Sequence, residues 1–245
     1  MDTRFWGPDG WRLLHSIARG YPAKPTREEK DMYRLFFNSL KYVLPCIYCR
    51  MSLTQYTKEL PLTDEYLTNP ESLSKWIYLI HNKVNAKLRG QNLLKEDDPP
   101  FKEIWERYTK YLADINTKKC SCELPGLDFY GCIVFNYPET ETGIETIRMA
   151  NYIVFFTTLV EVIPFEPYRS IFKSYMKSHS LYDSLYTRVA LKKWLYGAEK
   201  AISEATSRRC PGYYNICRRI ETHRAGCGSK RDKKPTCRRY SRGRK

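Results

Sequence analysis

The chain has 245 residues, enough for one large domain or two small ones whose core needs no disulfides to replace it. Its formal net charge is +15, yet residues 208–245 hold fourteen Lys or Arg against two acids, Glu221 and Asp232, which leaves +3 for the first 207 residues. The basicity is a tail property, so a fold that is itself a nucleic-acid-binding surface is disfavoured. No stretch is long and apolar enough to span a bilayer: the best, residues 153–165, is short and contains Glu161. The first residues lack the apolar region of a secretory signal. A soluble protein made in the cytosol is expected, where nine cysteines point to catalysis or metal rather than to stable disulfides.

In chain order, a first helix is expected over residues 5–21, with Pro8-Asp9-Gly10 as its start and Gly20-Tyr21-Pro22 as its stop. Trp6, Trp11, Leu14, His15 and Ala18 fall on one side of it. That side is either an ordinary core face with a satisfied histidine or a flat aromatic wall with one polar handle. A second helix, residues 26–44, opens on the capping pattern Thr26-Arg-Glu-Glu29. Met32, Leu35, Phe36, Ser39, Leu40 and Val43 share its apolar face.

A third helix begins at Pro45 and carries Cys46-Ile-Tyr-Cys49. A thiol in a first helical turn faces the positive end of the backbone dipoles, which favours its thiolate. Such a pair cycles between dithiol and disulfide without a metal. Half a zinc site or two buried thiols are the alternatives. After a loop over residues 61–70, a fourth helix, 72–88, has the stripe Ile77, Ile80, Val84 and Leu88, with His81, Asn82 and Asn85 at its edge. Polar groups grading into a buried face suit a ligand with hydrogen-bonding edges, or are satisfied core polars. A fifth helix, 100–115, carries Trp105.

Trp6-Gly7, Trp11, Leu14-His15, Ala18 and Tyr21-Pro22, then Pro45-Cys46-x-x-Cys49, then His81-Asn82-x-Val84-Asn85-x-Lys87-Leu88, in that order and spacing, resemble the Erv/ALR family of FAD-linked sulfhydryl oxidases. The resemblance covers residues 3–112, and three separate signatures agree. Among its branches it is most similar to the thiol oxidases of large DNA viruses, on the short N-terminus and the long appended C-terminal region. The resemblance implies an all-α fold: a four- or five-helix bundle holding FAD, as a homodimer. It implies that Trp6, Trp11 and His15 line the flavin, that His81, Asn82, Val84, Asn85 and Lys87 hold its adenine and phosphate side, and that Trp105 completes the pocket with Phe37 as a further ring neighbour. Cys49 is then the sulfur against the flavin, and Cys46 the one that exchanges with thiol-containing protein substrates. Molecular oxygen is the implied acceptor, yielding hydrogen peroxide, although a haem protein replaces it in some relatives. Many relatives have a structural cystine between the third and fourth helices. Residues 52–119 here contain no cysteine. A viral origin would place the protein in the host cytoplasm or the virion.

The division expected is an oxidase domain over residues 1–115, a linker over 116–125, a second helical domain over 126–206 and a basic, cysteine-containing tail over 207–245. In the linker, Cys120-Ser-Cys122 is a shuttle pair, a structural disulfide to Cys132 or the tail, or two unpaired thiols. A shift of 119 aligns Tyr33, Phe36, Phe37, Leu40, Val43, Pro45 and Arg50 with Tyr152, Phe155, Phe156, Leu159, Val162, Pro164 and Arg169. This is either a degenerate copy of the oxidase bundle or a coincidence between two helical hairpins. The copy has Phe165 and Tyr168 in place of the cysteines and Glu199, Lys200 and Ser203 in place of His81, Asn82 and Asn85, and no counterpart of the first helix is evident. In the tail, Cys210, Cys217, Cys227 and Cys237 lie too far apart for a strong zinc reading, and disulfides are favoured over metal. Its basic runs are a solvated face or a non-specific contact for polyanions, nucleic acid included.

Overall fold

The computed structural model describes residues 1–117, 125–139 and 146–223. Among these, every regular element is helical, as expected. Helix α1 (Thr3–Arg19) is followed by α2 (Arg27–Val43), α3 (Ile47–Glu59), a 3₁₀ turn (Asp64–Leu67), α4 (Pro70–Gly90) and α5 (Phe101–Thr117). Then come α6 (Leu127–Phe135), α7 (Thr146–Val162), α8 (Tyr168–Ser178), the single turn α9 (Leu181–Ser184), α10 (Arg188–Ala205) and α11 (Tyr213–Glu221). One continuous apolar core runs through them, with α5 packed against it through the partly buried Tyr111, Leu112 and Ile115.

Local chemistry explains most of the helix ends. The Thr26 hydroxyl accepts from the Glu29 N–H while the Glu29 carboxylate accepts from the Thr26 N–H, so two orphan donors at the start of α2 are satisfied reciprocally. Asn69 caps α4 by accepting from the Ser72 N–H, with Pro70 in the first helical position. Helix α1 starts earlier than Pro8 suggests. Asp2 caps it through the Arg4 N–H at 2.8 Å, and Pro8 lies inside the helix, where it removes only one backbone bond. Pro45 likewise stands outside α3, whose N-cap is Cys46 itself. On α2 the buried apolar face is Tyr33, Phe36, Phe37, Leu40 and Val43, whereas Leu35 is 52% exposed: Phe36 meets Phe155 of α7 and Phe37 meets Trp76 of α4.

Three sets of contacts in the first half recur in the second. Phe37 meets Trp76 edge to face at 5.2 Å, and Phe156 meets Trp194 in the same way at 5.2 Å. The Trp76 indole donates to the Leu60 carbonyl at 3.1 Å, and that of Trp194 to the His179 carbonyl at 3.0 Å. Tyr21 crosses Tyr33 at 4.5 Å and donates its hydroxyl to the Leu67 carbonyl; Tyr137 crosses Tyr152 at 4.7 Å and donates to that of Leu185. These matched contacts lie on α2, α4 and the end of α3 in the first half and on α7, α10 and the end of α8 in the second. Tyr137 also reveals what the sequence did not. Matching Tyr137 to Tyr21 sets helix α6, which ends beside Tyr137, against the second half of α1 in the sequence. Its shift is 116 rather than 119, and it is apolar on nearly every side, so no polar signature marks the correspondence.

Helix α6 is buried along all but one of its residues, Asp128 being the exception. Its start is held from α1. The Asp9 carboxylate accepts the backbone N–H groups of Gly126, Asp128 and Phe129 at 3.1–3.3 Å, serving as the N-terminal cap that glycine, at φ 93°, does not provide. Burial pushes the Asp9 carboxyl upward against these bonds. Helix α11 lies within the stretch expected as tail. Ile216 and Ile220 pack inward, Lys192 pairs with Glu221 at 2.9 Å and Arg219 with Asp128 at 2.7 Å. Its basic residues hid the short i, i+4 apolar pattern. His223 then stacks on Phe5 at 3.8 Å, and its carbonyl accepts the Asp2 N–H. Cys120, Cys122, Cys227, Cys237 and the basic runs after His223 lie outside the described residues.

Candidate active site

Helices α1, α2, α3 and α4 enclose a cavity of about 730 Å³. From α1 come Trp6 and Trp11, from α2 Phe37, from α4 His81, Val84, Asn85 and Lys87, and from α3 Cys49. Eight of the residues expected from sequence therefore share one wall. His15 stands just behind it: its Nε2 lies 3.0 Å from His81 Nδ1, while its other face stacks on Tyr108 at 4.7 Å. Trp11 stacks on His81 at 3.8 Å and 10°. Asn82 and Trp105 are not on the wall. Trp105 instead lies under the Arg19 guanidinium, 4.2 Å away, and Tyr108, one turn further along α5, takes the wall position.

The two cysteines sit at one helix end but face differently. The Cys46 sulfur acts as the α3 N-cap, accepting the Cys49 N–H at 3.4 Å. Cys49, three residues in, lines the cavity, and Cys46 does not. Beside Cys46 the side chains of Ile47, Tyr48 and Met51 are exposed. The guanidinium of Arg50 reaches back to the Leu44 carbonyl at 2.6 Å, fixing the corner between α2 and α3.

The polar rim is ordered by α4. Lys87, 4% exposed, donates to the Ser52 hydroxyl at 2.8 Å. Asn85 donates to Asp98 at 2.7 Å, and Arg89 grips the same carboxylate with two N–H groups. These bonds, that from Arg89 above all, overcome partial burial and hold the Asp98 carboxyl below its usual range. Burial drives His15 down to about 3 and His81 to about 4, so the pair is neutral near pH 7 and shares one proton along its hydrogen bond. Sequence reasoning missed Tyr108, Ser52 and Phe129. Tyr108 follows Trp105 by one helical turn, a signal that was available. Phe129 comes from α6 in the second half, and no local pattern announces it.

The residues present fit a large planar, anionic cofactor. The cavity is walled by stacked aromatic rings, it has a buried ammonium on one side, and Trp6 keeps a buried indole N–H without an acceptor among the described residues. A helical bundle with a C-x-x-C pair opening onto such a cavity defines a disulfide-handling class of protein. Residues 8–106 match the model of the Erv1/Alr family. The chain is 33% identical over 103 residues to an African swine fever virus protein named as a FAD-linked sulfhydryl oxidase, 81% of whose length is covered by 42% of this chain. It is 48% identical over 85 residues to a probable FAD-linked sulfhydryl oxidase of Acanthamoeba polyphaga mimivirus, covering 35% of this chain and 59% of the relative. Against the mitochondrial FAD-linked sulfhydryl oxidase ERV1 of Saccharomyces cerevisiae the identity is 36% over 88 residues, 36% of this chain and 45% of the relative. The chain belongs to the Erv1/Alr family. It spans about half the length of those last two relatives.

Among the described residues no group of three or more His, Cys, Asp or Glu side chains is gathered as for a metal. Cys132 is a fully buried thiol on α6, pushed up to about 12 by burial. Cys210 and Cys217 are half-buried, Cys210 raised by burial and Cys217 beside Tyr213. Among the described residues no helix is long and apolar enough to cross a membrane.

Proposed function

We propose that this protein is a FAD-dependent thiol oxidase that forms disulfides in thiol-containing substrate proteins. The observation that carries this reading is the opposed placement of the cysteines, with Cys49 on the cavity wall beside Trp11 and His81 and Cys46 off it, flanked by exposed Ile47 and Tyr48.

The chemistry starts from a Cys46–Cys49 disulfide. A substrate thiolate attacks the Cys46 sulfur in line with the S–S bond, Cys49 leaves as thiolate, and a mixed disulfide joins substrate to Cys46. A second substrate thiolate attacks the substrate's sulfur in that mixed disulfide and releases Cys46. The substrate has lost two electrons, and the cysteine pair holds them. FAD held in the cavity would supply the two-electron acceptor for the cysteine pair, with oxygen as final acceptor and hydrogen peroxide as product. Lys87 and Asn85 would hold its anionic and adenine side, Trp6 and Trp11 would stack on it, and the neutral His15–His81 pair would offer hydrogen bonds without adding charge. Cys49 lies partly buried at this mainly apolar wall. Viral relatives support an origin in a virus, and with it a place in the host cytoplasm or the virion. Contact between the basic tail and polyanions remains part of the same reading, as a tether.

The test is the visible spectrum of the purified protein together with oxygen consumption on a small dithiol. Yellow protein that consumes oxygen supports the reading; colourless protein that stays inactive after FAD is added overturns it.

A further inference from the structure

The contacts that repeat within the halves also cross between them, and they do so reciprocally. Phe36 and Phe155 hold the same position in the two repeats and stack on each other, centroids 5.9 Å apart at 24°. Tyr33 feels the positive charge of Arg169, and Tyr152 that of Arg50. Under the shift of 119, Tyr33 corresponds to Tyr152 and Arg50 to Arg169, so each half offers the other the same pair. A residue that meets its own counterpart, next to a pair exchanged both ways, is the signature of an isologous two-fold interface. Among the described residues the most extensive helix contact, α2 on α7, contains this stack. Since α7 is the counterpart of α2, it stands where a second copy's α2 would stand.

We propose that residues 125–223 are an internal second subunit with a dead site, so that the working unit is a single chain with one FAD and one catalytic cysteine pair. The dead site is visible as a remnant. The space corresponding to the live cavity is reduced to about 20 Å³, room for about one water. Gly131 stands in the position of His15, and Ile220 of α11 fills the gap so closely that a Cβ on Gly131 would lie 2.5 Å from it. Phe165, fully buried, takes the place of Cys46, and Glu199 that of His81.

The second half is nevertheless part of the live site. Phe129 stands on the wall of the large cavity, 5.8 Å from Trp6, and a Cβ on Gly10 would lie 2.8 Å from its ring. Trp6 is therefore backed by the second half. Phe129 is a positioning residue for the cofactor, acting through Trp6.

The count of FAD rests on the function proposed above; the molecular mass does not. The experiment is light scattering on the full chain eluting from a sizing column, over a wide concentration range, with flavin absorbance recorded against protein. A mass of one chain, 29.1 kDa, at every concentration with one FAD per chain is expected. A stable mass of two chains, or two FAD per chain, overturns the proposal. Protein of one-chain mass that binds no FAD overturns the oxidase reading while leaving the internal subunit standing. A second variant, Phe129→Ala, is expected to keep the mass and helical content and to release FAD severalfold faster on dilution. An unchanged release rate overturns the role of Phe129.

Discussion

His15 and His81 lie on different helices, sixty-six positions apart, with Nε2 of one 3.0 Å from Nδ1 of the other. Burial holds both neutral, at about 3 and about 4. A histidine whose folded value is depressed takes up its proton in the unfolded chain first. Stability is therefore complete above the ordinary value of 6.5 and falls as pH drops from there toward 4. Each histidine contributes about 1.4 kcal/mol per pH unit across that window. Unfolding free energies from urea titrations without added FAD should fall with that slope, and His81→Gln should remove about half of it. A flat profile in the parent would contradict the neutral pair.

The unequal placement of the cysteines predicts unequal trapping. With glutathione disulfide, Cys49→Ser should accumulate a mixed disulfide at Cys46, since no neighbouring thiol remains to resolve it. Cys46→Ser should gain little. Mass spectrometry of the intact variants reads the adduct directly, and a heavier adduct on Cys46→Ser would reverse the assignment. Both variants should lose dithiol turnover to background while still binding FAD.

Trp76 and Trp194 make matching hydrogen bonds and matching edge-on contacts. Replacing either by Phe removes the donor and part of the ring, at about 1–3 kcal/mol each. Denaturant unfolding should place the two losses close together. Only Trp76 borders the large cavity, so only Trp76→Phe should weaken FAD retention. Equal effects on retention would count against the second half being the closed one.

Cys132, buried and raised to about 12, should resist iodoacetamide in native protein and react once urea is added. Peptide mapping of the alkylated protein checks this. Labelling of Cys132 under native conditions at the rate of Cys46 would mean that α6 opens readily.

The features that could be read from sequence are those whose causes are local. Thr26 with Glu29 marks its own helix start, whereas the Asn69–Pro70 start of α4 falls inside the expected loop, two residues ahead of the expected helix; eight site residues line one cavity. Leu35 was misplaced because Phe36 and Phe37, rather than Leu35, meet Phe155 of α7 and Trp76 of α4, and no window on α2 contains α7. Trp105 and Tyr108 exchange roles for a similar reason: which turn of α5 meets the wall is set by Arg19 and His15 on α1. Helix α6 carries no polar pattern, so its likeness to α1 appears only through Tyr137 and Tyr152. Nothing near Phe129 in the chain indicates that it backs Trp6.

The stacking of Phe36 on Phe155 joins two positions read from separate codons. In a symmetric pair of identical chains, one substitution at such a position is made twice and faces itself. Here a change on α2 meets an unaltered α7. Each side is free to drift alone, and a loss on one can be corrected later on the other. Selection on the oxidase helices is thereby separated from selection on the surface that supports them.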